Sequence, residues 1–183
     1  MARAVTPEWH SALRSAPSYG RAMGDQADLL AAFAGSWFGE ALPAQARMRL
    51  VECASLREYP TGAVILTELD ETRVFGIVTT GRVGLRVLVP ERGSVTILTV
   101  EPGDVLGWSA LVGPHRSTST AVALEPTTVL AFDPSALRAA LSADDALAAT
   151  LYPRLLEAVT RRLTATRHQL LDLYAQQAEA VPW

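Results

Sequence analysis

Between Ala63 and Phe132 the chain is cut into short β-branched runs by turn residues, and most of the gaps between runs leave no room for a helix. The runs are Val64 to Thr67, Val74 to Thr79, Val83 to Val89, Ser94 to Val100, Thr118 to Leu124 and Thr128 to Phe132. Thr80-Gly81, Pro90-Glu-Arg-Gly93, Glu101-Pro-Gly-Asp104, Val112-Gly-Pro-His115 and Glu125-Pro126 separate them. Val83, Leu85, Val87 and Val89 alternate with Arg82, Gly84 and Arg86, as in a strand buried on one face. Short strands at this spacing predict an antiparallel β-roll or jelly roll.

The flanks are helical. Leu29, Leu30, Phe33, Trp37 and Phe38 fall at helical spacing, and Ala46, Leu50, Val51 and Ala54 do so after Pro43. Two short helices are therefore expected before the roll, the second closed by Tyr59-Pro-Thr-Gly62. Asp133-Pro134 opens a helix through Leu137, Ala140 and Leu141, and Ser142-Ala-Asp144-Asp145 caps a long one running to about Ala178. The fold class is mixed α and β, mainly β. Residues 1–26 read as a loosely ordered arm with a short helix around Pro7 to Arg14, residues 27–142 as helices plus roll, and residues 143–183 as the long helix and tail.

Composition narrows the function. Hydrophobic residues are 49% of the 183 and charged ones 19%, enough apolar material for a sizeable core. Sixteen basic residues, all arginine, against nineteen acids give a formal charge of -3, without the positive surplus of a nucleic-acid binder. No apolar run approaches the ~18 residues of a membrane span and no signal peptide opens the chain, which places it in the cytoplasm. The three histidines, His10, His115 and His168, lie in the arm, a loop and the last helix, so no metal set converges from neighbouring strands. His115, in a polar loop, reads as solvated. Cys53 reads as a buried structural thiol on an apolar helix face rather than a nucleophile. No nucleophile-elbow, phosphate-loop or dinucleotide motif is present. These absences argue against an enzyme and against a metal cofactor.

One segment carries chemistry. After Glu101-Pro-Gly-Asp104 the chain reaches Gly107, where a short helix from Trp108 to Val112 is expected before the strand at Thr118. Backbone N–H groups at Gly107, Ser109 and Ala110 can face an anion there, Arg116 can add a charged contact, and Ser117 and Thr118 can add hydroxyls. The same residues also read as a barrel corner that merely turns the chain.

Tyr59-Pro-Thr-Gly62, Phe75-Gly-Ile-Val-Thr-Thr-Gly81-Arg-Val83, Pro102-Gly-Asp-Val-Leu-Gly107 and Ala123-Leu-Glu-Pro-Thr-Thr-Val-Leu-Ala-Phe132, with the terminal helix, resemble the cyclic-nucleotide-binding domain family. The resemblance spans residues 43 to 175 and implies an eight-stranded catabolite-activator-type β-roll. It also implies a regulatory, non-enzymatic role, with cyclic AMP, cyclic GMP or another small anion as ligand and a partner protein as the output. Gly107-Trp-Ser-Ala-Leu-Val and Ala165-Thr-Arg-His-Gln-Leu-Leu-Asp-Leu-Tyr174 are similar to short bacterial members that have no helix-turn-helix, so no direct DNA binding is expected. Two positions depart from the family pattern. Trp108 stands where the family has a Glu that accepts the ribose hydroxyl, and it reads either as a plug packed in the core or as a stacking surface for a base. Arg116 lies one residue before the family's arginine position, which Ser117 fills in strict register. A degenerate, ligand-free docking module is therefore the alternative.

Leu156, Val159, Leu163, Thr166, Leu170 and Leu173 repeat every three or four residues along the last helix. Leu147, Leu151 and Leu155, with Leu171 and Tyr174, make a second apolar flank that can face the roll. The first stripe predicts a parallel seam between two copies of the chain, as the resemblance also implies, with Arg161, Arg162 and Arg167 in solvent beside it. Packing of both stripes on the chain's own core is the other reading. Pro153 is expected to kink the helix or to mark where its exposed part begins.

Overall fold

The computed structural model describes residues 25–89 and 93–179, with side chains to residue 169. The expected helix at Pro7 to Arg14, and the side chains of Leu170, Leu171, Leu173 and Tyr174, lie outside the described residues. Three helices come first: α1 (Gln26–Ala34), α2 (Trp37–Glu40) and α3 (Ala44–Val51). The periodicity from Leu29 to Phe38 suggested a single helix, but the backbone breaks at Gly35-Ser36. Ser36 accepts from the Gly39 N–H at 3.0 Å and donates to the Phe33 carbonyl at 2.7 Å, which starts a fresh turn. A Cβ at Gly39 would stand 2.0 Å from the Phe33 carbonyl oxygen, so only glycine lets the two turns approach this closely.

Eight strands follow: β1 (Ala54–Tyr59), β2 (Val64–Leu66), β3 (Phe75–Thr80), β4 (Val83–Val89), β5 (Gly93–Val100), β6 (Val105–Leu106), β7 (Thr120–Ala123) and β8 (Thr127–Phe132). They form two antiparallel sheets, ordered β1-β8-β3-β6 and β2-β7-β4-β5. Strand β1 replaces the end of the helix expected through Ala54. That helix stops when the Cys53 N–H closes on the Leu50 carbonyl, and the chain then pairs Ala54 with Phe132 through to Tyr59 with Thr127. The ladder outweighs a helical spacing that rested on Ala54 alone. Cys53 consequently sits half-buried in a turn and not on a helix face. Burial pushes its thiol pKa up, with Glu52 and Asp133 adding to the effect. A thiol so shifted is a poor nucleophile.

The residues of each strand divide between two cores. Val78, Val83, Leu85, Val100, Leu106 and Val129 fill the space between the sheets. Phe75, Ile77, Leu130 and Phe132 face outward to the helices, where Phe132 meets Phe33 and Phe75 with ring centroids at 5.4 and 5.5 Å. Burying each of these rings contributes about 1.5–3 kcal/mol.

Helix α4 (Pro134–Ala143) begins as expected, with the Asp133 carboxylate accepting from the Ala136 N–H at 2.7 Å. The long helix α5 (Asp145–Glu179) is capped by Asp144, which accepts from the Leu147 N–H at 3.0 Å, and it continues through Pro153. Leu147, Leu151 and Leu155 are buried in the helix-side core, as their stripe predicts. Leu156 and Leu163 are 66% and 51% exposed. One correction falls on this helix. Arg162, expected in solvent, is half-buried and donates to the Val105 carbonyl, because its position faces β6 rather than the open side.

Candidate functional site

Strand β6 ends at Leu106, and the chain reverses on Gly107, whose φ of 69° lies in the left-handed region. A Cβ there would stand 1.9 Å from the Val74 carbonyl oxygen, so the turn requires glycine twice over. A single 3-10 turn, Trp108–Ala110, follows; it is shorter than the helix expected to Val112. The Ala110 N–H, one of the expected anion donors, goes to the Gly107 carbonyl at 2.9 Å, and the Leu111 N–H goes to Trp108 at 3.1 Å.

The hydroxyls of the cradle meet on a residue that sequence reasoning missed. Thr72, Ser109 and Ser117 are all buried, and the Thr72 hydroxyl lies 2.9 Å from that of Ser109 and 3.0 Å from that of Ser117. Three hydroxyls carry three protons, and two contacts use two of them, so one donor remains for an anion. Backbone bonds lace the two loops together. The Thr72 N–H donates to His115, that of Leu69 to Ser117, and that of Ser117 to Asp70, at 2.8 to 2.9 Å. Nothing in the spacing signals Thr72, which lies 37 and 45 residues from its partners.

Arg116 is exposed, and its Nη1 donates to the Leu69 carbonyl at 2.7 Å. Thr118 is exposed as well. The structure thus brings Gly107, Ser109 and Ser117 together, with Arg116 at the rim. His115 departs from its reading as a solvated loop residue. It is half-buried at a φ of 61°, and its Nδ1 is buried with no hydrogen-bond partner among the described residues.

Trp108 is half-buried and packs on the helix-side core. It also lines a cleft of about 190 Å³ between the roll and α5, with Trp37, Asp104, Arg161 and Arg162. Helix α5 is held on the far side of this cleft by arginines. Arg154 donates from Nε to the Phe38 carbonyl at 3.2 Å and from another nitrogen to Trp37, and its Nη1 pairs with Glu157 at 2.5 Å. The guanidinium carbons of Arg154 and Arg161 lie 3.6 and 4.0 Å from the Trp37 ring centroid, a cation–π pair on one indole. Among the described residues no group of His, Cys, Asp or Glu could hold a metal ion. No described helix is long and apolar enough to cross a membrane.

Two antiparallel sheets, the glycine turn at Gly107 and the long helix α5 packed against β5 define the class of the fold, a helix-flanked β-roll. Residues 56–144 match the family model described as cyclic nucleotide-binding domain. It is similar to a solved structure from Geobacter metallireducens GS-15 assigned to the cyclic nucleotide-binding proteins. That match has 26% identity and a TM-score of 0.65, and covers 77% of this chain and 99% of that one. The N-terminal domain of a transcriptional regulator from Streptomyces coelicolor A3(2) is 25% identical with a TM-score of 0.58, over 76% of this chain and 94% of that one. A cyclic nucleotide-binding domain from Methylobacillus flagellatus KT shares the fold at 22% identity and a TM-score of 0.66, over 74% and 83% of the two chains. No curated protein matches the chain.

Proposed function

We propose that this chain is a non-enzymatic regulatory sensor domain acting in the cytoplasm. In this reading a cyclic nucleotide, cyclic AMP or cyclic GMP, or another small anion enters the cradle at Gly107, Ser109, Arg116, Ser117 and Thr118, and α5 passes its occupancy to a partner protein. The observation that carries the reading is the double position of Trp108. The same side chain follows the Gly107 turn and forms a wall of the cleft on which α5 rests. An anion that reorders the turn therefore moves a surface the helix packs on.

Entry of the ligand releases two hydroxyl contacts of Thr72 and the bond from Arg116 to Leu69. At about 0.5–1.5 kcal/mol each, the total is roughly 1.5–4.5 kcal/mol. Charged hydrogen bonds to the phosphate, at about 1.5–3 kcal/mol each, outweigh this, by less than in a site that also offers the sugar a carboxylate acceptor where Trp108 stands. Binding in the micromolar range is expected. Calorimetric titration with cyclic AMP and cyclic GMP tests it. Saturable micromolar heat that disappears in Arg116→Ala supports the sensor, and silence at millimolar ligand contradicts it. A ligand-free docking module is the second reading, favoured by the internal partners that Ser109, Ser117 and Arg116 already have.

Two further parts belong to the proposal. The stripe of Leu156, Val159, Leu163 and Thr166, exposed at Leu156 and Leu163 and half-buried at Val159 and Thr166, is taken as a seam with a second copy of the chain, continued along α5 by Leu170 and Leu173. The formal charge of -3 favours output through a protein rather than through direct contact with DNA.

A further inference from the structure

The cleft between the roll and α5 has its own chemistry, separate from that of the cradle. Arg161, Arg162 and Asp104 line it, which leaves one net positive charge in the lining. Among the described residues neither arginine forms an ion pair. Arg162 is the more telling of the two. It is half-buried, it donates to the Val105 carbonyl, and burial pushes its pKa down while the charge of Asp104 offsets part of that. A guanidinium has five donors, stays charged in proteins, and is costly to bury unless an anion pairs with it.

Size sets the second limit. An apolar cavity of about 150 Å³ holds one benzene ring, and this cleft measures about 190 Å³. A cyclic nucleotide, with more than three times the heavy atoms of benzene, exceeds it. The remaining walls suit a flat ring. Trp108 supplies aromatic surface, Leu98 and Val105 are aliphatic, and Ala158 and Ala165 leave space along α5, while the Trp37 ring already carries Arg154 and Arg161. We propose that this cleft binds a small aromatic monocarboxylate, its ring against Trp108 and its carboxylate on Arg161 and Arg162. The inference goes beyond the cradle and does not depend on it.

Titration of the whole chain with benzoate tests the proposal, with benzamide as the neutral isostere and the indole N–H signals of Trp37 and Trp108 as the readout. Benzoate is expected to shift both signals saturably, with a Kd of about 1 mM or tighter. Benzamide is expected to bind at least about tenfold more weakly, and benzoate to weaken about tenfold in Arg161→Gln, an exposed position, and in Ala165→Leu, which fills the cleft. Affinity should stay unchanged in Arg116→Ala. An unsaturable response, equal affinity for benzamide, or indifference to both cleft variants overturns the site. Benzoate binding without cyclic-nucleotide binding would sink the cradle reading and leave this one standing; the converse result does the opposite.

Discussion

Thr72 governs the cradle although no motif surrounds it. Its hydroxyl holds those of Ser109 and Ser117, so the groups that would receive a phosphate are already engaged. Thr72→Val removes the hydroxyl at nearly constant shape and leaves two buried serines short of a partner. The expected cost is about 1–3 kcal/mol of stability, read from the denaturant midpoint at unchanged slope. Affinity for cyclic AMP should move the other way and tighten, since the ligand no longer competes with Thr72. Loss of both stability and affinity would mean that Thr72 shapes the cradle rather than occupying it. Gly107 was legible from sequence because a turn glycine between a strand and a short helix has few other uses. Thr72 and the inward set of His115 were not, since both depend on contacts between distant loops.

Helix α5 is the element that, in the proposed mechanism, carries the state of the cradle outward. Its two stripes were visible as spacing, and the structure assigns Leu147, Leu151 and Leu155 to the core while leaving Leu156 and Leu163 outside. What spacing could not reveal is the role of its arginines, because a long cationic side chain reads as solvated wherever it falls. Arg154 has a side-chain exposure of only 10% and ties the helix to the carbonyls of Trp37 and Phe38. Arg154→Ala should lower stability by about 2 kcal/mol through lost charged hydrogen bonds and the indole contact. Arg154→Lys should restore little of it, because an ammonium lacks the planar fork that reaches both carbonyls. Full recovery with lysine would mean that charge alone docks the helix. Strand β1 was hidden for a related reason. Its pairing with β8 is decided some 70 residues downstream, beyond any local pattern.

At the scale of the whole molecule the roll was the most legible feature, because its alternating runs and glycine turns are local properties that a barrel must have. The assembly is a separate matter. Tyr152, Leu156 and Leu163 are 43%, 66% and 51% exposed, a row of large apolar side chains on one helix. Leu163→Glu should leave the fold intact, since the residue lies outside both cores, and should convert a dimer into a monomer by light scattering. A wild-type chain that is monomeric at ~100 µM, a concentration equivalent to about -5.5 kcal/mol of association, would rule the seam out. In the proposed mechanism, occupancy of the cradle is felt by the long helix through Trp108. Amide hydrogen exchange with and without saturating cyclic AMP reads this directly, because local opening of a helix reports its docking. Altered exchange is expected both at residues 107–118 and in α5 between Arg154 and Ala165. A change confined to residues 107–118, or none at all, would contradict it.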